Sequence, residues 1–249
     1  NPDNSRWYTG GGLFRDVNVI VTDAQQHFTR HPLYITTPLV GTDKSVVKIQ
    51  AELGCYLRTN KLNINTTIIA QNGDTVYNKT KEIPFNRGQK VNEHKIDSIT
   101  IKKPILWSCE NPHLYKAVVT MYRPDGTIAD QVSSTFGIRS IEYSPEFGFK
   151  LNGKKVIFKG IANHHTLGAL GAAVYPRAIE KRIQLLKEFG FNHIRTSHNP
   201  YSKSFLDLCD KYGMLVVDEL YDKWLTKFAG GRKEWVELWQ HDVPEFIRQ

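Results

Sequence analysis

The chain has 249 residues, 40% of them apolar and 23% charged, a globular balance with enough material for one large domain or two ordinary ones. No run of about 18 apolar residues occurs, so no membrane-spanning helix is predicted. The net charge of +8 raises a nucleic-acid role, but the cations are scattered in pairs such as Lys102 with Lys103 and Lys154 with Lys155, without a basic stripe interleaved with aromatics, and no nucleic-acid partner is expected.

The opening Asn1-Pro2-Asp3-Asn4-Ser5 reads as the interior of a protein rather than a natural start, so the lack of a signal segment carries no information about export. Cys55, Cys109 and Cys209 are odd in number and far apart, and neither a disulfide framework nor a metal site follows from them. Asn65-Thr66-Thr67 and Asn78-Lys79-Thr80 match the glycosylation pattern, which matters only on a eukaryotic secretory route.

The first half has the period of strands. Val47, Ile49, Ala51 and Leu53 alternate with Lys48, Gln50 and Glu52, which predicts a strand with one buried face. Leu62, Ile64, Thr66, Ile68 and Ala70 repeat the pattern, and Asn72-Gly73 supplies a hairpin turn. Leu114 to Tyr122 is a further strand, turned by Pro124-Asp125-Gly126 into one from Ile128 to Val132. These strands fill about 120 residues, near the size of one immunoglobulin-like sandwich.

The pattern changes after Arg139. Lys155 to Ile161 reads as a short apolar strand. Pro176 then opens a helix carrying Ile179, Ile183, Leu186 and Phe189, with Gly190 to close it. Phe191 to Arg195 is a second strand. Ser202 and Ser204 are candidate caps for a helix that carries Phe205, Cys209 and Tyr212 and ends at Gly213. Met214 to Val217 is a continuous apolar strand, the kind buried on both faces. Glu234 to Arg248 has the look of another helix, which Pro244 threatens to break.

Strand, helix, strand, helix, strand implies a parallel sheet. A dinucleotide fold would place Gly-x-Gly-x-x-Gly after its first strand, and Gly168-Ala169-Leu170-Gly171 is not that motif. Polar residues gather instead where each strand ends: Asn163, His164 and His165 after the first, Arg195 to His198 after the second, Asp218 and Glu219 after the third. Consecutive strand ends are where a (β/α)8 barrel builds its chemistry. Three strands, with a helix leading towards a fourth, cannot close one.

Phe191-Asn192-His193-Ile194-Arg195-Thr196-Ser197-His198-Asn199-Pro200, continued by Asp210-Lys211-Tyr212-Gly213-Met214-Leu215-Val216-Val217-Asp218-Glu219, resembles the first signature of glycoside hydrolase family 2. Asn199 departs from the tyrosine usual there. Asn152-Gly153-Lys154 and Lys159 to His164 resemble the family's first barrel strand. Leu106 to Tyr115 and Phe136-Gly137-Ile138-Arg139 resemble its immunoglobulin-like middle domain, and Ser5 to Val17 the end of its sugar-binding jelly roll. His164-His165 through Val174 is similar to the bacterial β-galactosidase branch. The resemblance implies a multidomain β plus α/β chain: residues 1–16 close a jelly roll, 17–138 form an immunoglobulin-like β-sandwich, and 139–249 form the first part of a TIM barrel.

The resemblance also implies hydrolysis of terminal β-D-galactosides with retention in the full-length parent, with a β-glycan as partner and no cofactor. Both catalytic glutamates of the family fall on later strands, after Gln249, so this polypeptide alone is expected to be inactive. Arg195 matches the arginine that holds the nucleophilic carboxylate, a task suited to a guanidinium fork, although an internal salt bridge with Asp218 is the plainer alternative. His164 and His198 match histidines that contact the sugar, against a structural role at a strand end. His165 has no firm counterpart.

Asp218 and Glu219 are not the catalytic pair, because neighbours in a strand point to opposite faces. A strand-end carboxylate that bonds Arg195 or a backbone group is the preferred reading of each. Trp7, Trp107, Trp224, Trp235 and Trp239 are read as packing residues before sugar platforms. Some family members hold magnesium through Glu-x-His just after the third strand; Leu220-Tyr221-Asp222-Lys223-Trp224 lacks that pair, and no metal is expected. β-Glucuronidase or β-mannosidase of the same family, and a non-catalytic carbohydrate-binding or scaffold module, are the alternative functions. The kind of substrate is compatible with a periplasmic or secreted protein, and an oligomer remains open.

Overall fold

A computed structural model describes Leu13 and residues 17–56, 61–85, 91–221 and 234–247, with the backbone alone at 91–94 and 234–237. The jelly-roll end expected over 1–16 therefore lies, apart from Leu13, outside the described residues. The chain divides into two compact units, one of Val19–Val156 and one that contains Ile157–Gln249.

The first unit is a sandwich. Its strands are β1 (Gln26–Phe28), β2 (Tyr34–Leu39), β3 (Lys44–Cys55), β4 (Lys61–Ile69), β5 (Thr75–Pro84), β6 (Val91–Lys102), β7 (Tyr115–Tyr122) and β8 (Ile128–Phe136). In one sheet β3 pairs with β6 along one side and with β1 and β2 along the other; the second sheet runs β5-β4-β7-β8, all antiparallel. The period of two does what it predicts: Val47, Ile49, Ala51 and Leu53 face Leu62, Ile64 and Ile68 in one core. The turn at Asn72-Gly73 joins β4 to β5, with Gly73 at φ +94°, a conformation open to glycine.

One interruption of the alternation is informative. The pairing of β3 with β6 slips between Ile49 and Gln50, leaving Ile96 as an extra residue. Ile96 and Asp97 are consecutive and both are buried. The bulge aims Asp97 across to the other sheet, where its carboxylate accepts from the Tyr77 hydroxyl at 2.7 Å and from the Lys81 ammonium. That contact ties β6 to β5 on opposite sheets.

Trp107 is fully buried, a packing residue as expected. The Arg139 guanidinium lies 4.3 Å from its ring centre. Its carbonyl accepts from Asn152 Nδ2 at 2.9 Å. Beyond the sandwich, β9 (Ile141–Ser144), β10 (Gly148–Leu151) and β11 (Lys154–Lys155) form a small antiparallel meander.

The second unit carries three parallel strands, β12 (Gly160–Asn163), β13 (His193–Thr196) and β14 (Leu215–Asp218), in that order across the sheet. Helix α1 (Pro176–Glu188) connects β12 to β13 and helix α2 (Lys203–Tyr212) connects β13 to β14; a 3-10 turn at Gly168–Leu170 precedes α1. Pro176 occupies the first turn of α1, and Gly190 follows it at φ +82°. Ser202 caps α2 by accepting from the Phe205 amide, and Gly213 ends it in the left-handed conformation. Ile179, Ile183, Ile194, Phe205, Cys209 and Met214 pack between the helices and the sheet.

Two expectations, the start of a strand and a break in a helix, are corrected. The first parallel strand starts at Gly160, not Lys155; Ile157 and Phe158 are exposed. There the Asn192 side chain replaces the ladder, donating to the Ile157 carbonyl at 3.0 Å and accepting from the Lys159 amide at 2.8 Å, while Phe158 stacks on His193. Helix α3 (Glu234–Ile247) runs through Pro244 without a break. Among the described residues β12 and β14 remain the two edges of the parallel sheet, so no barrel closes. No helix among the described residues is long and apolar enough to cross a membrane.

The two connecting helices are laced by Glu180 of α1. Its carboxylate accepts from the Tyr212 hydroxyl at 2.6 Å, from Lys211 at 2.9 Å and from Arg177 at 3.0 Å. The Tyr212 bond first, then Lys211 and Arg177, hold its pKa down at about 2. A carboxyl depressed on folding stabilises the fold above its unfolded value, here 4.5, and that contribution fades as pH falls towards 2. The stability difference between wild type and Glu180→Gln, read from urea midpoints, should therefore be full at pH 6 and mostly lost at pH 2; an equal difference at both would refute the lacing.

Candidate functional site

Residues level with one another on parallel strands point to the same face. Ala162, Arg195 and Val217 are level, and so are Asn163, Thr196 and Asp218. Ile194 is buried against α1 and α2, and Thr196, two residues on, points the same way. Arg195 therefore lies on the other face, the one a closed barrel would enclose.

The helix-facing row is a fixed base. Thr196 is fully buried. Its hydroxyl donates to Asp218 Oδ1 at 2.5 Å and accepts from the Glu219 amide at 2.8 Å. One threonine thus locks the first residue beyond β14. Asp218 belongs to this base and not to a reacting pair.

On the opposite face Glu219 gathers two side chains. Its Oε1 accepts from Arg195 Nε, and its Oε2 lies 2.7 Å from His198 Nδ1. The ion pair of Arg195 is therefore with Glu219, not with Asp218, because the strand register places Asp218 on the other face. His198 in turn meets His164 edge to face, ring centres 5.3 Å apart. The peptide between Ser197 and His198 is cis. Arg195, His198 and His164, separated by up to 34 positions in the chain, so form one connected group with Glu219 as its link.

The loop that carries His164 is held from beneath. Arg182 of α1 donates to Asn163 Oδ1 at 3.0 Å, to the His164 carbonyl at 3.2 Å and to the Thr166 carbonyl. The Asn163 carbonyl accepts from the Tyr201 hydroxyl at 2.5 Å and from the Ser197 amide at 2.9 Å. Burial pushes the Tyr201 phenol up, which keeps it a donor. His165 stands apart from the Arg195 group: it stacks on Tyr201 with ring centres 4.2 Å apart and lines a small cleft with Arg182, Val174 and Phe205.

Arg182 escaped the sequence reading; Thr196 figured there only among the polar strand-end residues, and the bond of Glu219 to Arg195 was expected but its second contact, to His198, was not. Arg182 left a trace, as a cation set between Ile179 and Ile183 on the buried side of an amphipathic helix. Trp239 is partly exposed; Trp7, Trp224 and the side chain of Trp235 lie outside the described residues, as do Asp222 and Lys223 of the stretch considered for magnesium. Among the described residues no three His, Cys, Asp or Glu side chains gather into a metal-binding set.

Removing the Arg182 clamp should loosen the loop. Arg182→Met keeps the apolar stem but deletes the donors to three acceptors, and urea unfolding should show a loss of about 1–3 kcal/mol. Amide exchange over residues 163–167 should quicken with it; unchanged protection there would mean the clamp does not order the loop.

Two family models match the chain: "Glycosyl hydrolases family 2" over residues 31–139 and "Glycosyl hydrolases family 2, TIM barrel domain" over residues 146–225. A β-galactosidase of Bacteroides ovatus is 34% identical over 98% of this chain, which spans 29% of that protein. A putative β-glucuronidase of Formosa agariphila is 32% identical over 98% of the chain, spanning 23% of it. A crystal structure of a glycosyl hydrolase family 2 member from Bacteroides cellulosilyticus superimposes with a TM-score of 0.86 at 36% identity, covering 98% of this chain and 33% of that one. The chain thus spans about a quarter to a third of the length of these relatives.

Proposed function

Because the chain belongs to glycoside hydrolase family 2, we propose that it is a portion of a retaining β-glycosidase and that its parallel strand ends supply one wall of the sugar pocket. The observation that carries this reading is the connected group of Arg195, Glu219, His198 and His164 on the barrel-facing side. Residues 17–138 are then the immunoglobulin-like sandwich that precedes the catalytic domain, and 139–249 the beginning of that domain.

Retention by double displacement needs two carboxyl groups about 5–5.5 Å apart, one to attack the anomeric carbon and one to protonate the leaving oxygen. Asp218 and Glu219 do not suit that work. Asp218 bonds a buried threonine on the helix face, and both oxygens of Glu219 are engaged by Arg195 and His198. Membership of the family implies that the attacking and protonating groups come from later strands of the complete protein. Arg195 holds the attacking carboxylate ionised through its guanidinium, and His164 and His198 hydrogen-bond the sugar.

The substrate is a terminal β-galactoside. β-Glucuronide hydrolysis is the second reading, favoured by the relatives named as β-glucuronidases. Two assays test the proposal. The 249-residue polypeptide alone should not turn over nitrophenyl β-galactoside or β-glucuronide; turnover that depends on Glu219 would overturn the assignment of roles. In the complete protein Arg195→Lys should cost roughly a hundredfold in kcat/KM, the scale of a misplaced reacting group, and the ratio of rates on the two glycosides decides the sugar.

A further inference from the structure

We propose that Glu219 is a positioning residue, a single carboxylate that orients the Arg195 guanidinium and fixes the ring tautomer of His198 at the same time. The inference rests on the reading of this face as the sugar pocket.

Each half of the contact has a chemical consequence. Arg195 is bound through Nε. Among the described residues its two terminal nitrogens have no hydrogen-bond partner, and its side chain is half exposed. A guanidinium held at Nε still offers a parallel pair of donors, the edge that grips a second carboxylate bidentately. His198 meets Glu219 through Nδ1 at 2.7 Å. An ionised carboxylate only accepts, so Nδ1 carries the hydrogen and Nε2 becomes the acceptor of the neutral ring.

The linking carboxylate is itself anchored. The Glu219 amide donates to Thr196, whose hydroxyl is bonded to Asp218 on the buried side of the sheet. The amide is thereby fixed to two neighbouring strands. Stability is a poor explanation for the arrangement, because an ion pair with a half-exposed arginine contributes little. Orientation is the property that a carboxylate shared between two side chains provides.

Glu219→Gln separates these roles, because it keeps the shape and changes the hydrogen-bond grammar. Arg195 can only donate, so the amide must give its oxygen to Nε and turn its NH2 group towards His198. His198 must then accept at Nδ1 and move its hydrogen to Nε2. Histidine-selective 15N labelling should show Nδ1–H in the wild-type chain and Nε2–H in Glu219→Gln. In the complete glycosidase the same substitution should lower kcat/KM about ten- to a hundredfold with little change in the thermal midpoint, and combining it with His198→Phe should cost less than the sum of the two single losses.

An unchanged His198 tautomer overturns the proposal. So does full activity of Glu219→Gln where Arg195→Lys is impaired, an outcome that leaves the glycosidase pocket standing. Full activity of both variants in an active enzyme would instead refute the role of this face, and the proposal with it.

Discussion

The chemistry of the second unit depends on the register of three short parallel strands. Four residues per strand are enough to sort side chains into two populations: Asn163, Thr196 and Asp218 face the helices, while Ala162, Arg195 and Val217 face the other way. Had β14 been displaced by one residue, Asp218 would stand beside Arg195 and Glu219 would turn to the helices. The ladder of backbone hydrogen bonds thus decides which carboxylate meets Arg195 and which meets the buried Thr196. Helices α1 and α2 hold that ladder in place by burying Ile194 between Ile179, Ile183 and Phe205.

Charge in this unit follows the same division. Below the strand ends Arg182 is bonded to neutral oxygens of the loop, and burial lowers its pKa. Above them Arg195 is half exposed and paired with Glu219. The lower cation shapes a loop, and the upper one remains within reach of a ligand. The first unit handles its buried charge differently, by a bulge that delivers Asp97 to Lys81 and Tyr77 on the facing sheet.

Much of this was legible in the sequence, for local reasons. The period of two in Val47 to Leu53, the Asn72-Gly73 turn, Pro176 at the start of α1, and Ser202 with Gly213 around α2 are short-range signals that the packing left intact. The strand limits were less legible. Val156, Ile157 and Phe158 have the composition of a strand, yet the Asn192 side chain, more than 30 positions away, captures the backbone there. The site was legible as a set of strand-end residues, and not as a network. That Glu219 and not Asp218 meets Arg195 follows from facing direction, which composition does not encode, and that Arg182 reaches back to the His164 loop depends on how the helix is seated.

At the opposite end of the strands from Glu219, Gly160 sits against His193 so closely that a Cβ there would stand 2.3 Å from the ring Nδ1 and 2.8 Å from the carbonyl oxygen. No rotamer of His193 relieves the second collision, because the oxygen belongs to the backbone of the adjoining strand. The tolerance of this sheet is therefore lopsided: loops grafted onto its upper rim would rest on a floor in which a single added methyl group forces two strands apart.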